Sequence, residues 1–357
     1  MKPPLILQAF RQPDALTTFS LLDWDMLLRQ ARKGNLLVRL YTLLQERDLL
    51  QQVPPQPREQ LEWSQAVAER HRQSVHWEVK QIQKAVSQVD APVVLLKGAA
   101  YVLAGLPAAR GRIFTDIDIL VPKASINQVE AALMLHGWMS THHDAYDQRY
   151  YRTWMHELPP MQNIRRGTVI DVHHAILPET AYIHPDSGKL LAAAQDLQGY
   201  EGFKVLAPSD MVLHSAVHLF HEGELDNGLR DLTDIDSLLR HFPSHVAFWP
   251  ELIERAQVLE LSRPLFYALR YCSHLLHTPV PLSAIEAAEI AKPNRFTLAL
   301  MDALYSRALL PMHPSCSDWW TDTARRLLYL RANWLRMPPL LLARHLFHKA
   351  FISPKEE

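Results

Sequence analysis

Asp116 and Asp118 stand two residues apart in Asp116-Ile117-Asp118-Ile119-Leu120-Val121, an alternating, β-branched run that reads as a strand. Side chains alternate across a strand, so Asp116, Asp118 and Leu120 share one face. Ile117, Ile119 and Val121 take the other and can be buried. Two adjacent carboxylates disfavour each other's ionisation, and a cation between them removes the conflict. Oxygen-only ligands suit Mg²⁺ (or Mn²⁺), which keeps part of its shell for water and substrate phosphates. Such sites assist phosphoryl or nucleotidyl transfer, often with two ions, one at the attacking and one at the leaving oxygen. In Val169-Ile170-Asp171-Val172-His173, the residues Val169, Asp171 and His173 share a face. If that strand pairs beside the first, Asp171 completes a three-carboxylate cluster. It then ligates a second ion or acts as general base toward an acceptor hydroxyl. The blander alternative makes Asp116 and Asp118 solvent-facing acids on an edge strand and Asp171 a surface acid or cap. Acids are poor strand formers, however, and two within an apolar run need a reason.

Phosphates need donors. Gly98 follows one apolar run and opens a helix-forming one, where backbone N–H groups favour anions. Lys97 stands beside it, and Arg112 lies four residues before Asp116. Lys97, Gly98 and Arg112 are therefore the candidate ligands of a nucleoside triphosphate. The alternatives are a surface lysine or one paired with an acid, and a structural salt bridge for Arg112. Arg110 and Thr115 read as loop or hydrogen-bonding residues. His214, His218 and His221 fall on one helix face, but without an HExxH pattern or an outside ligand they read as a packed polar stripe rather than a zinc site. Arg230, Asp231 and Asp234 read as salt-bridge partners, and His173 as a residue lining the cleft.

The elements that must position these groups follow from apolar spacing. Residues 15–90 read as helices, interrupted at Gly34-Asn35 and jointed at Pro54-Pro55-Gln56-Pro57. The long polar stretch 58–88 carries apolar positions Leu61, Val67, Val75, Val79, Ile82 and Val86. The pattern changes at Asp90. Val93-Val94-Leu95-Leu96 is a short continuous apolar run, as in a strand buried on both faces. A helix over 99–104, the strand at 116–121 and a helix over 124–136 closed by Gly137 follow. Two further strands are expected at 149–159 and 168–176, with 163–167 as their turn. From Ser209 the chain returns to helices, at 211–221, 225–241, 249–259, 263–277 and 283–291. A Leu- and Arg-rich segment, 323–351, comes last and is broken at Pro338-Pro339.

Composition narrows the class. Lys plus Arg number 37 and Asp plus Glu 38 in 357 residues, a net charge of −1 that supplies no global field for nucleic acid. Two cysteines are too few for a disulfide framework and fit a reducing cytoplasm. No signal peptide and no run of roughly 20 apolar residues is found, so a transmembrane segment is not expected. The C-terminal Leu/Arg-rich helix could touch a membrane surface, but an amphipathic helix closing the helical region is the simpler reading.

Leu95-Leu96-Lys97-Gly98-Ala99-Ala100 followed by Arg112-Ile113-Phe114-Thr115-Asp116-Ile117-Asp118-Ile119-Leu120-Val121 resembles the uncharacterised bacterial nucleotidyltransferase family of the polymerase-beta superfamily. That family reads LKG, then R-x-x-x-D-I-D-L-L-V, then a helical half. Ser209-Asp210, His214, His218, Leu229-Arg230-Asp231 and Asp234 are similar to that half, so the resemblance covers about 90–240. The superfamily carries Gly-Ser or Gly-Gly where this chain has Lys97-Gly98, which replaces one small phosphate-binding residue. The resemblance implies an α+β fold with a small mixed β-sheet. The catalytic core would be 90–205, flanked by helical segments 1–89 and 206–357, with the cleft open between core and helical half. It implies metal-dependent transfer of a nucleoside monophosphate from an NTP to an acceptor, with release of pyrophosphate. The acceptor (small molecule, protein or tRNA) and the base stay open. The competing expectations are an NTP-binding regulatory module without turnover, a toxin-like enzyme that modifies tRNA or protein, and a helical adaptor keeping the sheet as a relic.

Overall fold

Seven short strands form one mixed sheet in the order β3-β4-β5-β2-β1-β7-β6 in the computed structural model, which describes residues 3–142, 144–244 and 247–343. The strands are β1 (Val93–Leu95), β2 (Asp116–Leu120), β3 (Trp138–Ser140), β4 (Met161–Asn163), β5 (Val169–His173), β6 (Gln195–Asp196) and β7 (Phe203–Val205). β1 is buried throughout because it is central, with β2 antiparallel on one side and β7 parallel on the other. β5 runs parallel to β2, with Asp116 opposite Val169, Asp118 opposite Asp171 and Leu120 opposite His173. The chain is α+β, a small mixed sheet flanked by N- and C-terminal helices.

The long helix Pro55–Val86 starts at the proline joint and packs on Lys97–Leu103 and Ile126–Leu135 beside the sheet. It buries Leu61, Val75, Val79, Ile82 and Val86, as its spacing predicts, but leaves Val67 exposed. Helix Leu21–Lys33 begins at a capping box, in which Ser20 Oγ accepts from the Asp23 N–H and Asp23 Oδ2 accepts from the Ser20 N–H. The N-terminal helices pack against the C-terminal ones. Arg11 donates to the carbonyls of His274 and Leu275, and Gln30 to Ser315 Oγ. In the C-terminal half, helix Pro208–His221 is buried nearly all round and contacts Gly228–His241, Phe248–Val258, Ser262–Tyr271 and Thr321–Arg336. Asp210 in its first turn is fully buried and takes a bidentate pair from Arg255 at 2.7 and 2.8 Å.

The structure corrects the sequence reading in several places. The strand expected at 149–159 begins instead as a helix, Ala145–Trp154, and the true partner of β5 is β4. Arg152 anchors this helix to Glu130 through two hydrogen bonds of 2.9 and 2.6 Å, a tertiary tie that local aromatic content does not reveal. β3, β6 and β7 span only two or three residues each, too few to display a period of two. A helix at Arg295–Ala308 adds to the expected set. Its N-cap Asn294, whose side chain accepts from the Thr297 N–H at 2.9 Å, was the available signal. The Leu/Arg-rich helix runs Thr321–Arg336 and turns two arginines inward, Arg325 to the Leu310 carbonyl and Arg331 to that of Phe220. Residues 344–351 of the expected last segment lie outside the described residues. Cys272 and Cys316 are buried free thiols, and no helix among the described residues is long and apolar enough to cross a membrane.

Candidate active site

The parallel pairing of β2 and β5 gathers Asp116, Asp118 and Asp171, each offering an oxygen within 4.8 Å of the others. Asp118 is buried, and Asp116 and Asp171 are half-buried. Asp171 Oδ1 is buried without a hydrogen-bond partner among the described residues. A buried orphan carboxylate oxygen is costly unless something occupies its lone pairs. The residues present therefore fit a hard divalent cation.

Burial would raise the Asp118 pKa, but Lys97 and His173 outweigh it and hold the carboxyl well below the usual range. Asp171 shows the opposite balance, since burial and the Asp118 charge push it up to about 7. Lys97 Nζ lies 3.7 Å from Asp118 Oδ1. Burial works against its charge, yet Asp118 and Glu222 outweigh it and raise its pKa. Lys97 reaches this position from a left-handed backbone, φ +44°, which costs on the order of 1–3 kcal/mol in a non-glycine residue. Gly98 follows in the seven-residue helix Lys97–Leu103. A Cβ there would lie 2.6 Å from the Phe114 ring, so any larger residue requires that ring to shift.

A cleft of about 560 Å³ opens beside the aspartates. Lys97, Gly98, Asp116 and Asp118 line it from the sheet, Val38 and Val67 from the N-terminal helices, and His218 and Arg230 from the C-terminal ones. The cleft thus lies between the core and helices from both ends of the chain, whereas the sequence placed it between core and helical half alone. Arg112 sits in its wall but is buried, paired with Asp234 and with Asp231 at 3.4 Å. Arg230 donates to Asp231 Oδ1 at 2.8 and 3.0 Å, and Arg39 reaches Asp234 from the other side. Three guanidiniums thus share two carboxylates, which leaves this cluster net positive by one. Arg39, missed in the sequence, also donates to Ser237 Oγ and the Ala108 carbonyl. Its signal was a charge between Val38 and Leu40 on the buried face of helix Leu37–Glu46. Gly111, φ +82°, lets the Arg112 loop lie on that helix, since a Cβ would meet the Arg39 backbone nitrogen at 2.5 Å.

Residues 20–277 match a family model described as an uncharacterised nucleotidyltransferase. The chain belongs to that family. The match reaches further in both directions than the resemblance over about 90–240, and it includes the helices that contribute Arg39, Val38 and Val67. No curated protein matches the chain. As in the nucleotidyltransferase reading, the two aspartates of β2 and the aspartate of β5 come together, with Lys97 and Gly98 beside them. The histidine stripe divides. His214 and His221 are buried, and His218 pairs with Glu222 at 2.8 Å in the cleft wall. Arg110 pairs with Glu46 at 2.7 Å, and Thr115 lines the cleft. His173 Nε2 donates to the Asp118 carboxylate at 3.0 Å, and its Nδ1 lies 3.1 Å from Glu157 Oε2. Burial would lower its pKa, but Glu157 and Asp118 outweigh that and raise it. His156 and Glu157 were hidden from sequence reading because that segment was expected to be a plain strand.

Proposed function

We propose that this nucleotidyltransferase-family protein transfers a nucleoside monophosphate from an NTP to an acceptor nucleophile, with release of pyrophosphate. The observation that carries the reading is the register of β2 on β5, which sets Asp118, in the lining of an open cleft, opposite Asp171. Asp116 and Asp118 hold Mg²⁺ or Mn²⁺, and Asp171 ligates a second ion or takes the acceptor proton. The bound metal supplies charge neutralisation for the phosphates and at the attacking and leaving oxygens. Lys97 and the Gly98 backbone bind the triphosphate. Arg112 adds positive charge from the wall, and Arg230, at the cleft surface, is a further phosphate contact. Phe114 and the N-terminal helices line one side of the cleft. The helices flanking the core, 1–89 and 206–357, serve as walls of the cleft in this reading, and the reaction is placed in the cytoplasm.

The acceptor is a small molecule, a protein or a tRNA. The test incubates the protein with each α-labelled NTP, Mg²⁺ or Mn²⁺ and a cell extract, and identifies the labelled product. Asp118→Asn is expected to give no label. Persistent labelling by that variant would remove the role assigned to Asp118, and failure of every NTP to label anything would remove the transfer itself.

A further inference from the structure

Among the described residues a second group of metal-capable side chains lies on the far side of His173 from Asp118. His156, Glu157 and His173 each offer a ligand atom within 4.8 Å of the others. The backbone fixes this group. Glu157 bridges His173 in antiparallel fashion, Leu158 N–H donates to the Val172 carbonyl, and His174 N–H donates to the His156 carbonyl. The two imidazoles lie with centroids 5.2 Å apart and planes 32° from parallel. Glu157 Oε2 is 3.1 Å from His173 Nδ1. His156 Nδ1 is buried and has no hydrogen-bond partner among the described residues, an independent observation that points to a ligand.

We propose that His156, Glu157 and His173 bind a divalent transition ion of the zinc class, distinct from the hard cation of the aspartate cluster. Two imidazoles and one carboxylate form a donor set typical of zinc with one position open, whereas Mg²⁺ prefers oxygen alone. Zinc bonds of about 2.0–2.1 Å set tetrahedral ligand atoms about 3.3 Å apart. The present ligand-atom spacing, within 4.8 Å, exceeds that by at most about 1.5 Å. His173 would coordinate through Nδ1 and donate its Nε2–H to Asp118 Oδ1, now 3.0 Å away. A carboxylate that accepts from a ligating histidine fixes its tautomer and ring orientation. The ion would thereby make His173 a positioning residue that holds the Asp118 carboxylate toward the cleft.

The purified full-length protein, stripped with chelator and dialysed against Co²⁺ in excess Mg²⁺, is expected to retain one cobalt per chain. It should show the visible absorption of low-coordinate cobalt with nitrogen ligands. Asp171→Asn keeps the band. Asp118→Ala weakens cobalt binding about 10–100-fold, as expected when the partner of a ligating histidine is removed. His156→Ala abolishes the band, and Glu157→Gln, which preserves size, does so should the alanine variant lose its circular dichroism. A folded wild-type chain that takes up no cobalt overturns the proposal. So does a band that survives both His156→Ala and Glu157→Gln, or one that disappears in Asp171→Asn and so belongs to the aspartates. None of these readouts depends on nucleotidyl transfer.

Discussion

Gly98→Ala tests the packing that sets Lys97 against the aspartates. The added Cβ would sit 2.6, 2.8 and 2.8 Å from three carbons of the Phe114 ring. Ordinary contact begins near 3.4 Å, so the ring must move by roughly 0.8 Å, and overpacking of this kind costs about 1–3 kcal/mol. Gly98 has no positive φ, so the backbone adds no strain. Alanine regains at most about 1 kcal/mol of helix propensity. The net loss is therefore about 0–2 kcal/mol. On a Phe114→Ala background the clash is absent, and the same substitution should be neutral or stabilising by up to about 1 kcal/mol. The coupling between the two positions is then about 1–3 kcal/mol. Urea unfolding of the four proteins, followed by circular dichroism and tryptophan fluorescence, measures it. An equal cost of Gly98→Ala in both backgrounds would refute the steric account. Because Phe114 lies two residues before Asp116, NTP labelling should fall in the single variant and recover in part in the double one.

Two further outcomes follow from buried charge. Arg39→Met leaves Asp234 with Arg112 alone and is expected to cost about 3 kcal/mol, the lower end for breaking a buried pair; a urea midpoint within error of wild type would show that Arg112 suffices. Burial, with Arg331 and Arg336 nearby, lowers the His221 pKa from 6.5 to about 3. The unfolded chain then takes up this proton first, so the neutral histidine leaves stability untouched above about pH 6.5 and lowers it by about 1.4 kcal/mol per pH unit from there down to about pH 3. His221→Asn should flatten that part of the stability profile, and parallel wild-type and variant curves would exclude the assignment.

The Asp pair, the strand that carries it and the shared face with Asp171 were legible because they depend on local spacing and on a period of two. Gly137 at the end of its helix, the proline joint and the long helix Pro55–Val86 were likewise readable from local residue types and spacing. Whether β5 lies beside β2 was not local information. It is set by the crossover through β3 and β4, and those strands are too short to announce themselves. The helix Ala145–Trp154 escaped because its tie is Arg152 to Glu130, 22 residues away in sequence. Arg112 was recognised as a charge at the right place. Its partners Asp231 and Asp234, and Arg39 behind them, lie 119 or more residues away or in another helix, and only their packing shows that its charge is shared. The two aspartates of β2 thus came from alternation along one strand. Asp171 was named from its own strand, but its adjacency to them, the buried arginine cluster and the His156–Glu157–His173 group came from contacts between distant segments, which a linear pattern of residue types cannot encode.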